Sequence, residues 1–340
     1  MVRLRRSSPE EPGWTRRRAG RGFVYLDDAG DRLDDDAAAR VRALAIPPAW
    51  EDVWICPHEN GHLQAVGTDA AGRRQYLYHP DWRVKRDQEK FDRVLELGRV
   101  LPRVRERTER DLATTGMSAA RASALALRLL DLGCFRIGSD AYADDNGGFG
   151  LTTLERRHVR KRGDAYVFDF TGKSGVHHTI IIDDPISVEA IAQLRRRRGG
   201  FEEILAYKQG PRWQRLTPAM VNDYMREVSG LEVSAKDFRT WHATVLAALA
   251  LTDDPEAAER VTPTARSRHK QQVAAVKEVA EYLGNTPAVA RSSYVDPRVL
   301  ELHEQGRTIH VRKGSSTDPK ARQAAAERAV LRLLAQDGDA

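Results

Sequence analysis

Apolar and polar positions alternate with a period of two in the first quarter of the chain, and recur at helical spacing through most of the remainder. Phe23–Leu26, Val53–Cys56, Leu63–Gly67 and Arg74–Tyr78 read as strands. Turn residues separate them at Asp28-Ala29-Gly30, His58–Gly61 and Asp69–Gly72. With a helix at about Ala37–Ala45, this predicts a small, mostly antiparallel β-rich domain over residues 21–90, preceded by a basic extension over 1–20. From Val84 the spacing turns helical and stays so through Leu112, placing a domain boundary near residue 90.

Beyond that boundary the pattern is mainly helical. Ala119–Leu132 is apolar enough for a core helix, and Gly138–Gly150 reads as a loop. Thr152–Val159, Ala165–Phe170 and Val176–Ile182 then predict a three-stranded sheet. Later helices show their ends: Ser187 opens one that runs into Arg195–Arg198, and Ser234 caps another through Leu251. Thr217-Pro218, Thr286-Pro287 and Asp296-Pro297 each pair an N-cap with proline at the first helical position, and Gly284 stops a helix over His269–Leu283. Tyr294 therefore falls at the end of one short helix, just before another. Thr252–Arg268 reads as a mobile linker. The fold class is α+β: the β-rich domain, a larger mainly α domain over 91–317, and a loosely docked helical tail over 318–340.

Composition narrows the class. The 340 residues carry 55 Lys+Arg against 49 Asp+Glu, a net charge of +6, and a mean hydropathy of -0.56. No run of about 18 apolar residues is present, so no membrane span is expected. The arginine-rich start lacks the apolar stretch of a secretory signal, which points to the cytoplasm. Cys56 and Cys134 are too few for a disulfide framework or a zinc site and read as small buried side chains.

Cations in apolar or strand contexts say more than those in surface runs, because a buried charge needs a partner or an anion. Arg136 follows the apolar helix in Cys134-Phe135-Arg136-Ile137-Gly138. Lys173 sits in the turn Phe170-Thr171-Gly172-Lys173-Ser174-Gly175, and Arg239 lies early in an apolar helix, in Lys236-Asp237-Phe238-Arg239-Thr240. Singly, each is an ordinary dipole partner or a solvated turn residue; together they suit an anionic ligand. Two guanidinium groups can grip phosphate oxygens while a lysine supplies a proton.

These three segments, with Leu283-Gly284-Asn285-Thr286-Pro287 through Ser293-Tyr294, resemble in order the active-site blocks of type IB DNA topoisomerases, in the small poxvirus-like branch found in bacteria. Ile46-Pro47-Pro48-Ala49-Trp50 and Gly72-Arg73-Arg74-Gln75-Tyr76 resemble the N-terminal lobe of that branch, extending the likeness over about residues 20–305. The resemblance implies a two-lobed clamp around double-stranded DNA, acting as a monomer. It implies relaxation of supercoils by transient single-strand cleavage, with Tyr294 as nucleophile forming a 3′-phosphotyrosyl link. Arg136 and Arg239 would neutralise the transition state, and Lys173 would protonate the leaving 5′-oxygen. The bond energy is retained in the link, so neither ATP, nor a metal, nor any other cofactor is implied. Asn285 stands where the most familiar members carry histidine; an amide can donate to a phosphate oxygen but carries no charge.

The same resemblance puts Gln75 and Tyr76 at base edges, with Arg73 and Arg74 near phosphates and Tyr142 as a further DNA contact. The alternative for Tyr76 is an ordinary amphipathic strand residue. His177 and His178, adjacent on a strand, face opposite sides and cannot share a metal. His242, three residues after Arg239, is either a support for the site or a structural histidine. The Arg195–Arg198 run is either a solvated face or a track for the DNA backbone. Asn146-Gly147-Gly148-Phe149-Gly150 lacks the ending of a phosphate-binding loop. Two further readings stay open, a site-specific tyrosine recombinase and a non-catalytic DNA clamp; Lys236, where recombinases typically carry histidine, favours the topoisomerase. A metal-dependent nuclease would need clustered carboxylates, and Asp34-Asp35-Asp36 reads instead as a solvated turn.

Overall fold

The computed structural model describes residues 2–133, 135–138, 148–252, 264–311 and 318–335. The chain divides into two units, Met1–Lys90 and Phe91–Ala340.

In the first unit, strands β1 (Trp14–Ala19), β2 (Gly22–Leu26), β3 (Glu51–Ile55), β4 (Leu63–Thr68) and β5 (Arg74–Tyr78) form an antiparallel sheet in the order β2-β1-β3-β4-β5. Val53, Ile55 and Ala65 pack with Val41 of helix α1 (Asp35–Ala43) in its core. The three aspartates at the start of α1 are helix-starting residues: Asp34 caps it by accepting the Ala37 N–H at 2.7 Å, and Asp35 and Asp36 occupy the first turn, where the helix dipole favours anions.

The N-terminal residues are more integrated than a basic extension. Arg5 N–H donates to the Asn60 carbonyl, Ser7 Oγ donates to that of Leu63, and β1 sits between β2 and β3. Arg16 explains why an arginine run can be a strand. Its guanidinium donates to the carbonyls of Ile46, Pro47 and Trp50, at 3.2, 2.6 and 2.7 Å, and covers the Phe23 ring.

Helix α2 (Pro80–Leu112) carries the chain into the second unit. Its Gly98 permits close packing there, since a methyl group at that position would lie 2.6 Å from the buried Trp241 ring. Helix α3 (Ala119–Gly133) is apolar on nearly every side and buried accordingly. Strands β6 (Val159–Arg162), β7 (Ala165–Thr171) and β8 (His177–Ile182) form the three-stranded antiparallel sheet. Its first strand begins at Val159, not Thr152. The Thr152 and Thr153 hydroxyls donate to the carbonyls of Ile137 and Gly150, fixing a local turn in place of a ladder.

Helix α4 (Pro185–Arg196) is capped by Asp184, ahead of the expected Ser187. A hairpin of β9 (Ala206–Gln209) and β10 (Arg212–Arg215) follows, with only Tyr207 and Trp213 as large apolar residues to announce it. Then come α5 (Pro218–Ser229), α6 (Ala235–Ala250), α7 (Ala265–Leu283), α8 (Pro287–Ser293), α9 (Pro297–Glu304) and α10 (Pro319–Ala335). Part of the segment read as a linker is helical, since α7 begins at Ala265; residues 253–263 lie outside the described residues. The tail is firmly docked: α10 buries Ala326, Val330, Leu333 and Leu334 in the second unit's core, together with the Glu327 carboxylate. Among the described residues, no helix is long and apolar enough to cross a membrane.

Candidate active site

Three parts of the second unit converge on the junction between α7 and α8. Gly284 ends α7 in a left-handed conformation, φ 61°, and Thr286 caps α8 by accepting the Val289 N–H. The carbonyls left over at the end of α7 are taken by arginines. Arg136 Nη2 donates to the Gly284 carbonyl at 2.8 Å and to Asn285 Oδ1 at 2.6 Å, and Arg239 Nη2 donates to the Leu283 carbonyl at 2.8 Å. Arg239 is buried within α6, and its guanidinium carbon lies 5.5 Å from the centre of the Tyr294 ring.

Tyr294 ends α8, where its N–H donates to the Ala290 carbonyl at 3.0 Å. Its own carbonyl accepts from Thr244 Oγ1, which in turn accepts the Asp296 N–H. Thr244 lies on α6 with Arg239, so one helix sets both the guanidinium and the backbone of the tyrosine. Burial, then the charge of Arg239, lowers the Arg136 pKa, with Tyr294 opposing. Two cations held this close favour an anion between them.

Lys173 is exposed on the turn between β7 and β8. That turn is locally constrained: Gly172 N–H donates to the Val176 carbonyl, and Ser174 and Gly175 both have positive φ, 63° and 73°. The segment after the undescribed residues joins it to Arg136. Phe149 N–H donates to the Thr171 carbonyl and Leu151 N–H to that of Arg136. Gly150 lies against Gly138, where there is no room for a side chain.

A cavity of about 390 Å³ opens among these elements, lined by Phe135, Arg136, Phe170, His178, Arg239 and Leu283. His178 is the member that the sequence did not mark. The alternation of β8 turns it inward, whereas exposed His177 pairs with Asp169 at 2.7 Å. Burial, followed by the charges of Arg136, Arg239 and His177, pushes the His178 pKa below the ordinary histidine range.

His242 turns from the arginines toward α3. Its Nε2 lies 3.2 Å from Asp131 Oδ1, and Asp131 also accepts two hydrogen bonds from Arg105. Arg105 donates in addition to both oxygens of Glu327. Within the arginine run, Arg197 is structural: it is buried and donates to the carbonyls of Phe201, Glu203 and Ile204. Burial, then Arg156, lowers its pKa to about 10. Arg195, Arg196 and Arg198 are exposed.

In the first unit the expected DNA contacts separate by face. Arg73 and Gln75 both engage Asp69, at 3.0 and 2.9 Å. Arg74 and Tyr76 share the opposite, exposed face with Tyr78, whose ring stacks on that of Tyr76 at 6.3 Å. Tyr78 was legible from the same alternation. Tyr142 and Cys134 lie outside the described residues.

The profile described as "Eukaryotic DNA topoisomerase I, catalytic core" matches residues 79–315, and that of "Bacterial DNA topoisomerase IB, N-terminal domain" matches residues 22–69. The chain is 30% identical over 297 residues to the DNA topoisomerase 1B of Acanthamoeba polyphaga mimivirus, covering 86% of this chain and 88% of the relative. It is 22% identical over 238 residues to the vaccinia virus DNA topoisomerase 1B, covering 70% and 71%. With a matched catalytic core, a matched bacterial N-terminal domain and this coverage, the chain belongs to the type IB DNA topoisomerase family.

Proposed function

We propose that this protein relaxes supercoiled duplex DNA by reversible transesterification at Tyr294, without ATP or a metal ion. The observation that carries the reading is the convergence of Arg136, Arg239, Asn285 and Tyr294 on the α7–α8 junction. In this reading Tyr294 Oη bonds to the scissile phosphorus as the bond from phosphorus to the 5′-oxygen breaks. The phenolic proton passes to solvent, and Lys173 gives a proton to the departing oxygen. Negative charge gathers on the non-bridging oxygens, where two preplaced guanidinium groups and an amide donor stabilise it. The released strand rotates, and its 5′-hydroxyl attacks the 3′-phosphotyrosyl link to restore the duplex.

The exposed face of Arg74, Tyr76 and Tyr78 suits contact with the duplex, and Gln75 suits an adenine edge if released from Asp69. Tyr142 remains a proposed contact on sequence grounds. In this reading both units engage one duplex, as a clamp does, and a monomer suffices in the cytoplasm.

Incubating purified protein with supercoiled plasmid in EDTA and no ATP tests the reading. The expected result is a ladder of relaxed topoisomers. A supercoiled band that persists while the protein binds DNA would leave a non-catalytic clamp, and products with exchanged strands would indicate a recombinase.

A further inference from the structure

We propose that His178 is a positioning residue that sets the turn bearing Lys173 against the α7–α8 junction bearing Asn285. This rests on the reading of Lys173 as the acid for the leaving 5′-oxygen. The imidazole stacks on Phe170 of β7, with ring centres 5.3 Å apart, and two glycines meet its free edge. A methyl group on Gly172 would lie 2.9 Å from Cδ2, and one on Gly284 would lie 2.5 Å from Cε1. Nε2 is close to both positions, at 3.0 and 3.1 Å. Both segments therefore approach the ring as closely as only glycine allows. Gly172 immediately precedes Lys173, and the Gly284 carbonyl receives Arg136.

The ring is thus a spacer between the acid's turn and the phosphate-facing groups. The turn's other connection to Arg136 runs through the backbone of residues 149–151, where Phe149 N–H donates to the Thr171 carbonyl and Leu151 N–H to that of Arg136. A neutral imidazole suits the place, since burial, and after it the charges of Arg136, Arg239 and His177, oppose a further charge there. Proton transfer in a transition state requires the acid within hydrogen-bond reach of the leaving oxygen. A displacement of about 1 Å is enough to cost on the order of 100-fold in rate.

Single-turnover cleavage tests this on two duplexes, one with the ordinary 5′-oxygen and one with sulfur at that bridging atom, which leaves without a proton. Wild type, K173A, H178A, G172A and the double variant K173A/H178A are compared. G172A presses on the same ring from the turn side and stands in where H178A fails to fold. On the oxygen substrate H178A and G172A are each expected to slow cleavage by ~10–100-fold. On the sulfur substrate both should return to within about threefold of wild type, as K173A does, and the double variant should be no slower than K173A beyond about twofold. If K173A is restored by sulfur but H178A and G172A are not, or if the losses multiply in the double variant, His178 does not act through Lys173 and the proposal falls alone. If K173A itself is not restored, the acid assignment fails and the proposal falls with it.

Discussion

Arg136 and Asn285 are joined side chain to side chain, Nη2 donating to Oδ1 at 2.6 Å. The bond fixes which way the amide faces. With Oδ1 engaged as acceptor, the buried Nδ2 is presented as a donor and meets no acceptor among the described residues. In the proposed reading, asparagine in place of histidine still offers a hydrogen bond to a phosphate oxygen, aimed by one of the arginines. Asn285→Ala is expected to reduce single-turnover cleavage by ~100-fold, the scale of one lost transition-state donor. Asn285→Asp should be slower still, because its carboxylate would neutralise Arg136 and repel the phosphate. Equal rates for the two variants would mean that the carboxylate charge is not felt at the phosphate and that Asn285 does not face it.

Tyr294→Phe keeps the ring beside Arg239 and the backbone bonds to Ala290 and Thr244, and removes only the hydroxyl. Duplex affinity should stay within about twofold of wild type. The covalent protein–DNA adduct, measured by denaturing gel after trapping with detergent, should vanish. An adduct at wild-type level would assign the nucleophile elsewhere.

The legible parts of this fold are those set by local chemistry. Thr217, Thr286 and Asp296 cap the helices that their prolines announce, and Gly284 ends α7 in the left-handed conformation. The Lys173 turn is where its glycines put it, between two strands. What escaped depends on distant partners. Arg16-Arg17-Arg18 concealed β1 because the groups that accept the Arg16 guanidinium are about thirty positions away. His178 was legible only as one of two adjacent histidines facing opposite sides of a strand, since neither the arginines beside it nor Gly284 is near in sequence. Asp131 and His242 stand 111 residues apart, and no periodicity within either helix implies the other.

That last pair belongs to a buried network which fastens the C-terminal helix. Arg105 lies between Asp131 of α3 and Glu327 of α10, bonded to both oxygens of each, and is itself largely buried. Glu327→Ala would leave Arg105 with one carboxylate where it had two. The expected cost is about 2 kcal/mol, the scale of hydrogen bonds between charged groups. That corresponds to a fall of about 4–8 °C in melting temperature. Glu327→Gln, which retains an acceptor, should lose less than half as much. An unchanged melting temperature in Glu327→Ala would show that α10 is held by its apolar face alone.

Acid should unfold the protein in two stages, for reasons of opposite charge type but the same sign. The His178 pKa is lowered, chiefly by burial and then by Arg136 and Arg239, so the unfolded chain takes up a proton there before the folded chain does. Its contribution is complete above the unfolded value near ~6.5 and is lost as the pH falls below it. Asp131 and Asp184 follow. Burial alone would raise their pKa values, but Arg105 and His242 on Asp131, and Arg128 and Ser187 on Asp184, hold both carboxylates well below the ordinary range. The unfolded aspartates protonate near ~3.9 while the folded ones remain charged, so this stabilisation is full above that value, begins to fall as the pH drops below it, and is gone only below the lower folded values. Melting temperature measured from pH 7.5 to pH 3 should therefore show a shallow decline beginning near pH 6.5 and a steeper one below about pH 4.5. Asp131→Asn should melt lower at pH 7 and show a flatter lower limb. Parallel curves for variant and wild type across that limb would mean that Asp131 is not among the groups whose protonation drives acid unfolding.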